Sequence, residues 1–145
     1  MRHYHIYLIE EEVAKQYYRK EAKIYQLFQE YEQNIKLKPL ISKQIDFITQ
    51  TIPTFKLQKI METSLKNRND YEGQMYKHSI WLPNSRSAAS ISLFDNYIEL
   101  TSTGSFEAET IFFEILRKEN PFYMAIDMRS ERFGWLFPIK QRKFV

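Results

Sequence analysis

The sequence predicts an α+β fold, with a mostly antiparallel sheet packed against about five helices in a single domain spanning residues 1–145. The first indication is the order of the segments, which is one strand, several helices, three strands, one helix and two strands. The second is the length, because 145 residues can form one substantial core but hardly two. The aromatic share of 16% bears on function rather than on fold class. Rings in such number are hard to bury in one small core, and some should therefore lie at an interface.

The chain opens with a strand that leads directly into a helix. Residues 2–9 alternate between two faces, as in a half-buried strand. From Glu10 the spacing is helical, and the acidic side chains of the first turn complement its free amide groups. Val13 and Tyr17 are four residues apart and share one helix face. An aromatic side chain exposed there would suit a protein partner, with Tyr18 then pointing inward, whereas a core position for Tyr17 is the alternative.

The following segment leaves two helical arrangements open. An apolar stripe from Ile24 to Ile35 predicts a helix. Residues 19–21 form a polar step, across which one helix could continue or a kink could turn the first helix elsewhere; a binding role for the first helix favours the kink. Residues 36–39 are expected to form a linker, and Ser42 is expected to cap a short helix through Ile48.

The remaining segments are assigned from their apolar patterns and turn residues. They are a helix opened by Thr51 and Pro53 and reaching Leu65, a polar loop at 67–73, strands at 76–82, 89–94 and 97–101, a helix at 106–118 capped by Ser105, a strand at 122–126 and an extended segment at 134–137. Asp95 and Asn96 are predicted to form a hairpin turn, since both residue types tolerate positive φ.

The composition excludes several classes of protein. The chain has no cysteine, which excludes disulfides and thiolate metal sites and favours a cytoplasmic location, because small secreted domains usually need disulfides. Neither a signal peptide nor a membrane-spanning run is apparent. The net charge of +3 is dispersed among 21 basic and 18 acidic residues, which predicts no direct, specific DNA binding. The three glycines are isolated, so they cannot build a phosphate-binding loop.

Three histidines are the candidate metal ligands. His3 and His5 share one strand face and could bind a metal, with His78 as a third ligand if the fold brings it near. Alternating histidines of this kind are far more often ordinary surface residues. No metal or other cofactor is therefore expected.

Two carboxylate pairs could in principle perform acid–base chemistry. They are Glu107 with Glu109 and Asp127 with Glu131. Acidic residues at a helix N-terminus and in a turn explain both pairs more simply. An enzyme is therefore not expected.

A basic and aromatic C-terminal tail suggests an alternative function. Residues 132–135 and 140–144 combine arginine and lysine with phenylalanine and tryptophan, a composition that can stack on single-stranded nucleic acid. The simpler interpretation is a packed terminal strand with basic ends that reach into solvent. A nucleic-acid-binding module is kept as the alternative to the function described next.

Several sequence blocks carry a specific resemblance. They are Arg2-His3-Tyr4, Tyr7-Leu8-Ile9, Leu27-Phe28-Gln29, Lys43-Gln44-Ile45, Ile48-Thr49-Gln50, the segment from Gly104 to Glu114, the segment from Ser130 to Leu136, and Phe144-Val145. In these blocks the chain closely resembles the SirA family, the sporulation inhibitors of replication of endospore-forming bacilli. The likeness extends over essentially the whole chain and is weakest at 36–39 and 67–90.

The resemblance implies a small cytoplasmic protein without catalytic activity. Members of the family bind the N-terminal domain I of the replication initiator DnaA, and so restrain initiation at the chromosomal origin as cells commit to sporulation. Domain I makes protein contacts rather than origin contacts. Its occupation should therefore disturb initiator assembly without competition for DNA bases.

The resemblance also implies which residues bind DnaA domain I. The family's contact surface has an aromatic residue on the first helix, a tyrosine four residues later, and the glutamine of the Lys-Gln-Ile block at the start of the third helix. Tyr17 and Gln44 match the second and third of these. Val13 stands where the family has phenylalanine, which removes ring area at a central position. Val13, Tyr17 and Gln44 are accordingly the expected partner-binding residues.

Overall fold

The computed structural model describes residues 1–136, and within this range eight strands form one antiparallel sheet with five α-helices packed against it. The strands are β1 (Arg2–Ile9), β2 (Thr49–Gln50), β3 (Tyr71–Gln74), β4 (Lys77–Leu82), β5 (Ser87–Leu93), β6 (Ile98–Gly104), β7 (Tyr123–Asp127) and β8 (Arg132–Trp135). The helices are α1 (Glu11–Gln16), α2 (Glu21–Gln33), α3 (Lys38–Ile48), α4 (Thr54–Leu65) and α5 (Glu107–Glu119). The predicted α+β class is confirmed.

The first strand, β1, lies inside the sheet. The strand order is β3-β4-β5-β6-β1-β7-β8, and β2 pairs with the end of β1 at Leu8 and Ile9. A strand with neighbours on both sides has its backbone groups satisfied along most of its length. The N-terminal segment is therefore a fixed support for the helix that follows it.

The two faces of the sheet pack against different helices. One face carries Tyr4, Ile6 and Leu8 and packs against α4 and α5, whose buried side chains include Leu57 and Phe112. This side holds the larger core. The alternation predicted for β1 is confirmed, since these three residues share that face.

The opposite face of β1 and β7 forms a second, smaller core. Ile9, Met124 and Ile126 of the sheet pack there against Ile24 and Phe28 of α2. Ala14 of α1 is fully buried in the same cluster. Burial of this apolar area, at roughly 25 cal/mol per Å², holds α1 and α2 on the sheet. The fold thus has three layers, with α4 and α5 on one side and α1 to α3 on the other.

Several boundaries differ from the prediction. Helix α3 begins at Lys38, so residues 38 and 39 are not linker and Ser42 lies inside the helix rather than at its cap. Proline is compatible with the first turn of a helix, because the amide that it lacks has no partner there. Pro39 therefore belongs to the start of α3, although it was expected to precede it.

The expected loop at 67–73 contains part of a strand. That strand is β3, and its residues Glu72, Gly73 and Gln74 are exposed because β3 is the edge strand of the sheet. An edge strand without a buried face carries no apolar alternation, which is why the sequence pattern failed here. The two-residue strand β2 is too short to produce any pattern.

Helix α5 is capped by a residue distant in sequence. The expected cap, Ser105, lies one position too early, and Phe106 occupies the cap position. The amide of Ala108 donates instead to Oγ of Ser87 on β5 at 2.9 Å, and this hydroxyl donates to the carbonyl oxygen of Ser105 at 2.6 Å. Only the folded sheet brings Ser87 to the helix, so local sequence could not predict this cap.

Candidate protein-binding groove

Helix α1 is short and is held at its start by backbone contacts. The amide of Ile9 donates to the carbonyl oxygen of Phe122 at 2.9 Å, and the amide of Glu10 donates to that of Ile48 at 2.8 Å. The second bond joins the beginning of α1 to the end of α3. Because β2 follows α3 directly and pairs with β1, α3 is fixed beside α1.

Of the two arrangements that the sequence leaves open after α1, the structure has the change of direction, as a complete break. Tyr17 ends the helix, and Arg19 adopts φ of 68°, which no α-helix accommodates. The amide of Lys20 donates to the carbonyl oxygen of Tyr17 at 2.7 Å and closes the turn. The carboxylate of Glu21 accepts from the amide of Arg19 at 2.9 Å and from Nε1 of Trp135 at 3.2 Å. These bonds connect the turn to β8 and orient α2 independently of α1.

A groove of about 540 Å³ runs between α1, α2 and α3. Val13, Tyr17 and Gln44 all line it. These three residues come from two helices that are separated in sequence by α2. The fold therefore brings together all three residues singled out from the sequence.

The rim of the groove exposes apolar side chains of α3. Phe47 is 82% exposed and Leu40 is 57% exposed. Both line the groove together with Leu27 of α2. Large apolar side chains left in solvent around a concave surface are typical of protein-binding sites.

The polar groups of the groove are basic or neutral. Lys23 and Lys43 contribute ammonium groups, and Gln16 and Gln44 contribute amides. Among the described residues that line the groove, none is a carboxylic acid or a histidine. The surface is thus suited to apolar and acidic side chains of a partner rather than to general acid–base chemistry.

Tyr17 and Tyr18 do not divide simply between solvent and core. Tyr17 is partly exposed and packs against the second core while it lines the groove. Tyr18 is also partly exposed, and the guanidinium of Arg19 lies 5.6 Å from its ring centre. The expectation that Tyr18 is buried with Ala14 is wrong, because the helix ends before Tyr18 and the 100° rotation per residue no longer applies.

Sequence reasoning missed Phe47 and Leu40. Both lie on the exposed side of α3, whereas Ile41 is buried and Ile45 packs against the second core. Leu40, Gln44 and Phe47 are spaced by four and three residues, which places them on one helix face. The signal was present, but a helix start assigned to Ser42 left Leu40 outside the pattern.

His78 lies far from the other two histidines in the sheet. It is fully buried on β4, separated from β1 by β5 and β6. Its Nδ1 lies 2.6 Å from the hydroxyl of Tyr71, and its Nε2 lies 2.8 Å from Oε1 of Gln58. Burial lowers the pKa of His78. It therefore cannot be a third ligand for His3 and His5.

The two carboxylate pairs consist of one buried and one exposed residue each. Glu109 is buried and accepts from Nε of Arg2 at 2.6 Å, from the hydroxyl of Tyr4 at 2.6 Å and from Oγ of Ser102 at 2.5 Å. Burial of Tyr4 and the hydrogen bond from its hydroxyl to Glu109 raise the pKa of Tyr4 to about 12. Glu107 is exposed in the first turn of α5. Such a network fixes β1 to α5, and it gives Glu109 a structural role.

The second pair resembles the first in this respect. Asp127 is buried at the end of β7, where it accepts from the amide of Ser130 at 3.2 Å and lies 3.5 Å from the guanidinium of Arg132. Glu131 is exposed and adopts φ of 53° in the turn before β8. The interpretation as turn acids fits both residues.

The described part of the aromatic tail is engaged within the protein. The ring of Phe133 stacks on that of Tyr25 with centroids 4.8 Å apart, and Trp135 bonds to Glu21. Residues 140–144, the other half of the proposed nucleic-acid-binding tail, lie outside the described residues, as does residue 137 of the expected extended segment. In the described range the packed-strand interpretation is favoured.

Within residues 1–136, no helix has the length and apolar character needed to cross a membrane.

Comparisons with known proteins give one consistent result. Residues 2–140 match the model of a family described as sporulation inhibitor of replication protein SirA. The chain is 41% identical, over 147 aligned residues, to the sporulation inhibitor of replication protein SirA of Bacillus subtilis (strain 168). That match covers 99% of both chains.

Proposed function

This chain belongs to the SirA family of sporulation inhibitors of replication, and on that premise we propose that it restrains the initiation of chromosome replication during sporulation by binding domain I of the initiator DnaA. The binding surface in this proposal is the groove between α1, α2 and α3. The protein acts there as a cytoplasmic regulator through one domain spanning residues 1–145, and not as an enzyme.

The observation that carries the proposal is the position of three residues. Val13, Tyr17 and Gln44 were selected from the sequence by their correspondence to a family motif, and all three line the same groove. Their convergence depends on two backbone features, the bond from Glu10 to Ile48 and the break at Arg19. A motif whose members were scattered over the surface would not support a shared contact.

The chemistry of the groove supports a protein as the ligand. Phe47 and Leu40 offer apolar area at its rim, and Tyr17 lines the groove with a partly exposed ring that also packs on the second core. Lys23 and Lys43 would attract acidic side chains and raise the association rate at low salt. The partner surface is expected to be apolar at its centre with acidic residues at its edge.

The direct test is calorimetric titration of the full chain with purified DnaA domain I. We expect saturable binding that Tyr17→Ala weakens by about 2 kcal/mol, roughly thirtyfold. Gln44→Ala should also weaken binding, since the hydrogen bond that the Gln44 amide would make to domain I, buried in the proposed complex, is lost. Absence of binding to domain I, together with tight binding to origin DNA at physiological salt, would contradict the proposal and favour the nucleic-acid-binding alternative.

A matched pair of phenylalanines separates the groove from the rest of the surface. Phe47 is 82% exposed on α3 in the groove, and Phe55 is 66% exposed on α4, on the opposite side of the sheet. Phe47→Ala should weaken binding roughly tenfold, whereas Phe55→Ala should leave it unchanged. Both variants should keep the stability of the parent within about 0.5 kcal/mol, because neither ring is buried.

A further inference from the structure

We propose that His3, His5 and Glu99 form a binding site for a divalent transition metal ion, with zinc as the ion that they fit. The site lies on the face of the sheet that α2 covers in part, and none of its residues lines the groove between α1, α2 and α3. It is therefore independent of the proposed binding to DnaA.

The three side chains already converge. Nε2 of His3 lies 2.8 Å from Oε2 of Glu99, and Nε2 of His5 lies 3.8 Å from the same oxygen. The potential ligand atoms all lie within 4.8 Å of one another. Zinc bonds of 2.0–2.2 Å in tetrahedral geometry require ligand atoms about 3.3 Å apart. The separations of 2.8 and 3.8 Å lie within about 0.5 Å of that spacing, on side chains with rotatable bonds.

The backbone beneath the site is rigid. His5 is paired directly with Glu99 across β1 and β6, and His3 is paired with Thr101 in the same ladder. β1 has a neighbouring strand on each side. The ring of His5 also contacts that of Tyr97, with centroids 5.0 Å apart. Ligands held on paired strands need little ordering when a metal binds.

The site is accessible, and its surroundings carry both signs of charge. The side chains of His3, His5 and Glu99 are between 34% and 36% exposed, which leaves room for water to complete the coordination. Glu32 of α2 lies near enough to interact with His5, and it lines one cavity with His3, His5 and Arg129. The carboxylates of Glu32 and Glu99 outnumber the one guanidinium of Arg129, which favours the binding of a cation.

The donor set selects the class of metal. Two imidazoles and one carboxylate suit zinc and the neighbouring divalent metal ions of the first transition row, whereas calcium and magnesium prefer ligand sets made only of oxygen atoms. A bound ion would connect β1 to β6 through side chains, in addition to the backbone ladder. Because it binds the folded state, it should raise the thermal stability of the protein.

The test is titration of the metal-free full chain with zinc chloride, followed by calorimetry and by thermal melting at about pH 7.5, where free imidazole is mostly neutral. We expect one zinc per chain and a melting temperature that rises with zinc concentration. His3→Ala, His5→Ala and Glu99→Gln should each weaken binding at least tenfold. Glu30→Gln, which removes an exposed carboxylate from α2, should leave it unchanged.

Two results would overturn the inference. One is the absence of saturable binding in the presence of a several-fold excess of zinc, which would leave the pair His3 and Glu99 as a simple hydrogen bond. The other is binding that persists in His5→Ala and Glu99→Gln but disappears when the amino terminus is extended by a short linker. That pattern would place the metal on the terminal amine and His3 instead.

Discussion

At the scale of single residues, Val13 affects how much apolar area α1 would offer to a partner bound in the proposed groove. It packs in part against the second core and lines the groove beside Tyr17. The resemblance to the family implies phenylalanine at this position, and a phenyl ring would extend farther into the 540 Å³ groove than an isopropyl group does. If DnaA domain I binds in the groove as proposed, substitutions of Val13 should change the affinity in either direction.

We expect Val13→Phe to strengthen binding to DnaA domain I by about 1 kcal/mol, roughly fivefold, from the additional apolar area buried. Val13→Ala should weaken it by a similar amount for the same reason. Calorimetric titration of the three proteins would show the order alanine, valine, phenylalanine. Equal affinities across the series would mean that Val13 lies outside the contact.

At the scale of elements, the break between α1 and α2 shows what sequence could and could not predict. Residues 19–21 were recognised as a polar step, but polar residues are equally compatible with a continuous helix and with a turn. The outcome depends on Arg19 at positive φ and on Glu21, whose carboxylate binds Trp135 of β8. The second contact joins residues 114 positions apart. A local pattern contains no information about such a bond.

Burial of one face also determines which other segments the sequence predicts. Segments with one buried face, such as β1, β5 and α5, were predicted correctly because their apolar spacing records that face. The edge strand β3 has no such face and was missed. Tyr17 and Gln44 were found through the family resemblance. Phe47 was missed because an exposed side chain contributes nothing to a core pattern.

The turn after α1 gives the element-scale prediction. Glu21→Ala should lower the free energy of unfolding by about 1–2 kcal/mol, since the amide of Arg19 and the indole of Trp135 both lose their acceptor. Binding to DnaA domain I should weaken roughly fivefold, because Tyr17 would then have to be ordered on binding. Urea unfolding and calorimetry measure the two effects.

Glu30 provides the matched control for this prediction. It lies on the same helix, its side chain is exposed, and the change to alanine removes the same charge. Glu30→Ala should alter stability by less than about 0.5 kcal/mol and leave binding unchanged. If Glu21→Ala and Glu30→Ala change stability and binding to the same extent, the charge of α2, and not the turn before it, is responsible for the effect.

At the scale of the whole molecule, the groove and the most deeply buried histidine lie on opposite sides of the sheet. The groove lies between α1, α2 and α3, whereas His78 is buried on β4 near α4. Oε1 of Gln58 accepts from the amide of Tyr76 at 2.8 Å and can only accept, so Nε2 of His78 carries a proton. In the neutral imidazole Nδ1 then accepts from the hydroxyl of Tyr71. Burial of the ring, which lowers the pKa of His78, favours this neutral form of the imidazole.

The burial of a neutral His78 predicts that the protein loses stability in mild acid. Burial lowers the pKa of His78, and the opposing attraction of Glu62 is smaller. In the unfolded chain the pKa is about 6.5, so the unfolded state binds more protons below that pH. The stabilising contribution is therefore complete above pH 6.5 and decreases as the pH falls, by at most about 1.4 kcal/mol per pH unit for one histidine. Urea unfolding between about pH 7.5 and pH 5 measures it.

Two variants assign this pH dependence to its source. The pKa of His5 is also lowered, by burial and by the neighbouring His3, so it contributes with the same sign, although Glu99 and Glu32 oppose the shift. His78→Gln should flatten the dependence of unfolding free energy on pH, because glutamine does not titrate and can retain hydrogen bonds to its neighbours. His5→Gln should flatten it less, because His5 is partly exposed while His78 is not. A slope that survives unchanged in His78→Gln would show that this buried network is not what makes folding sensitive to acid.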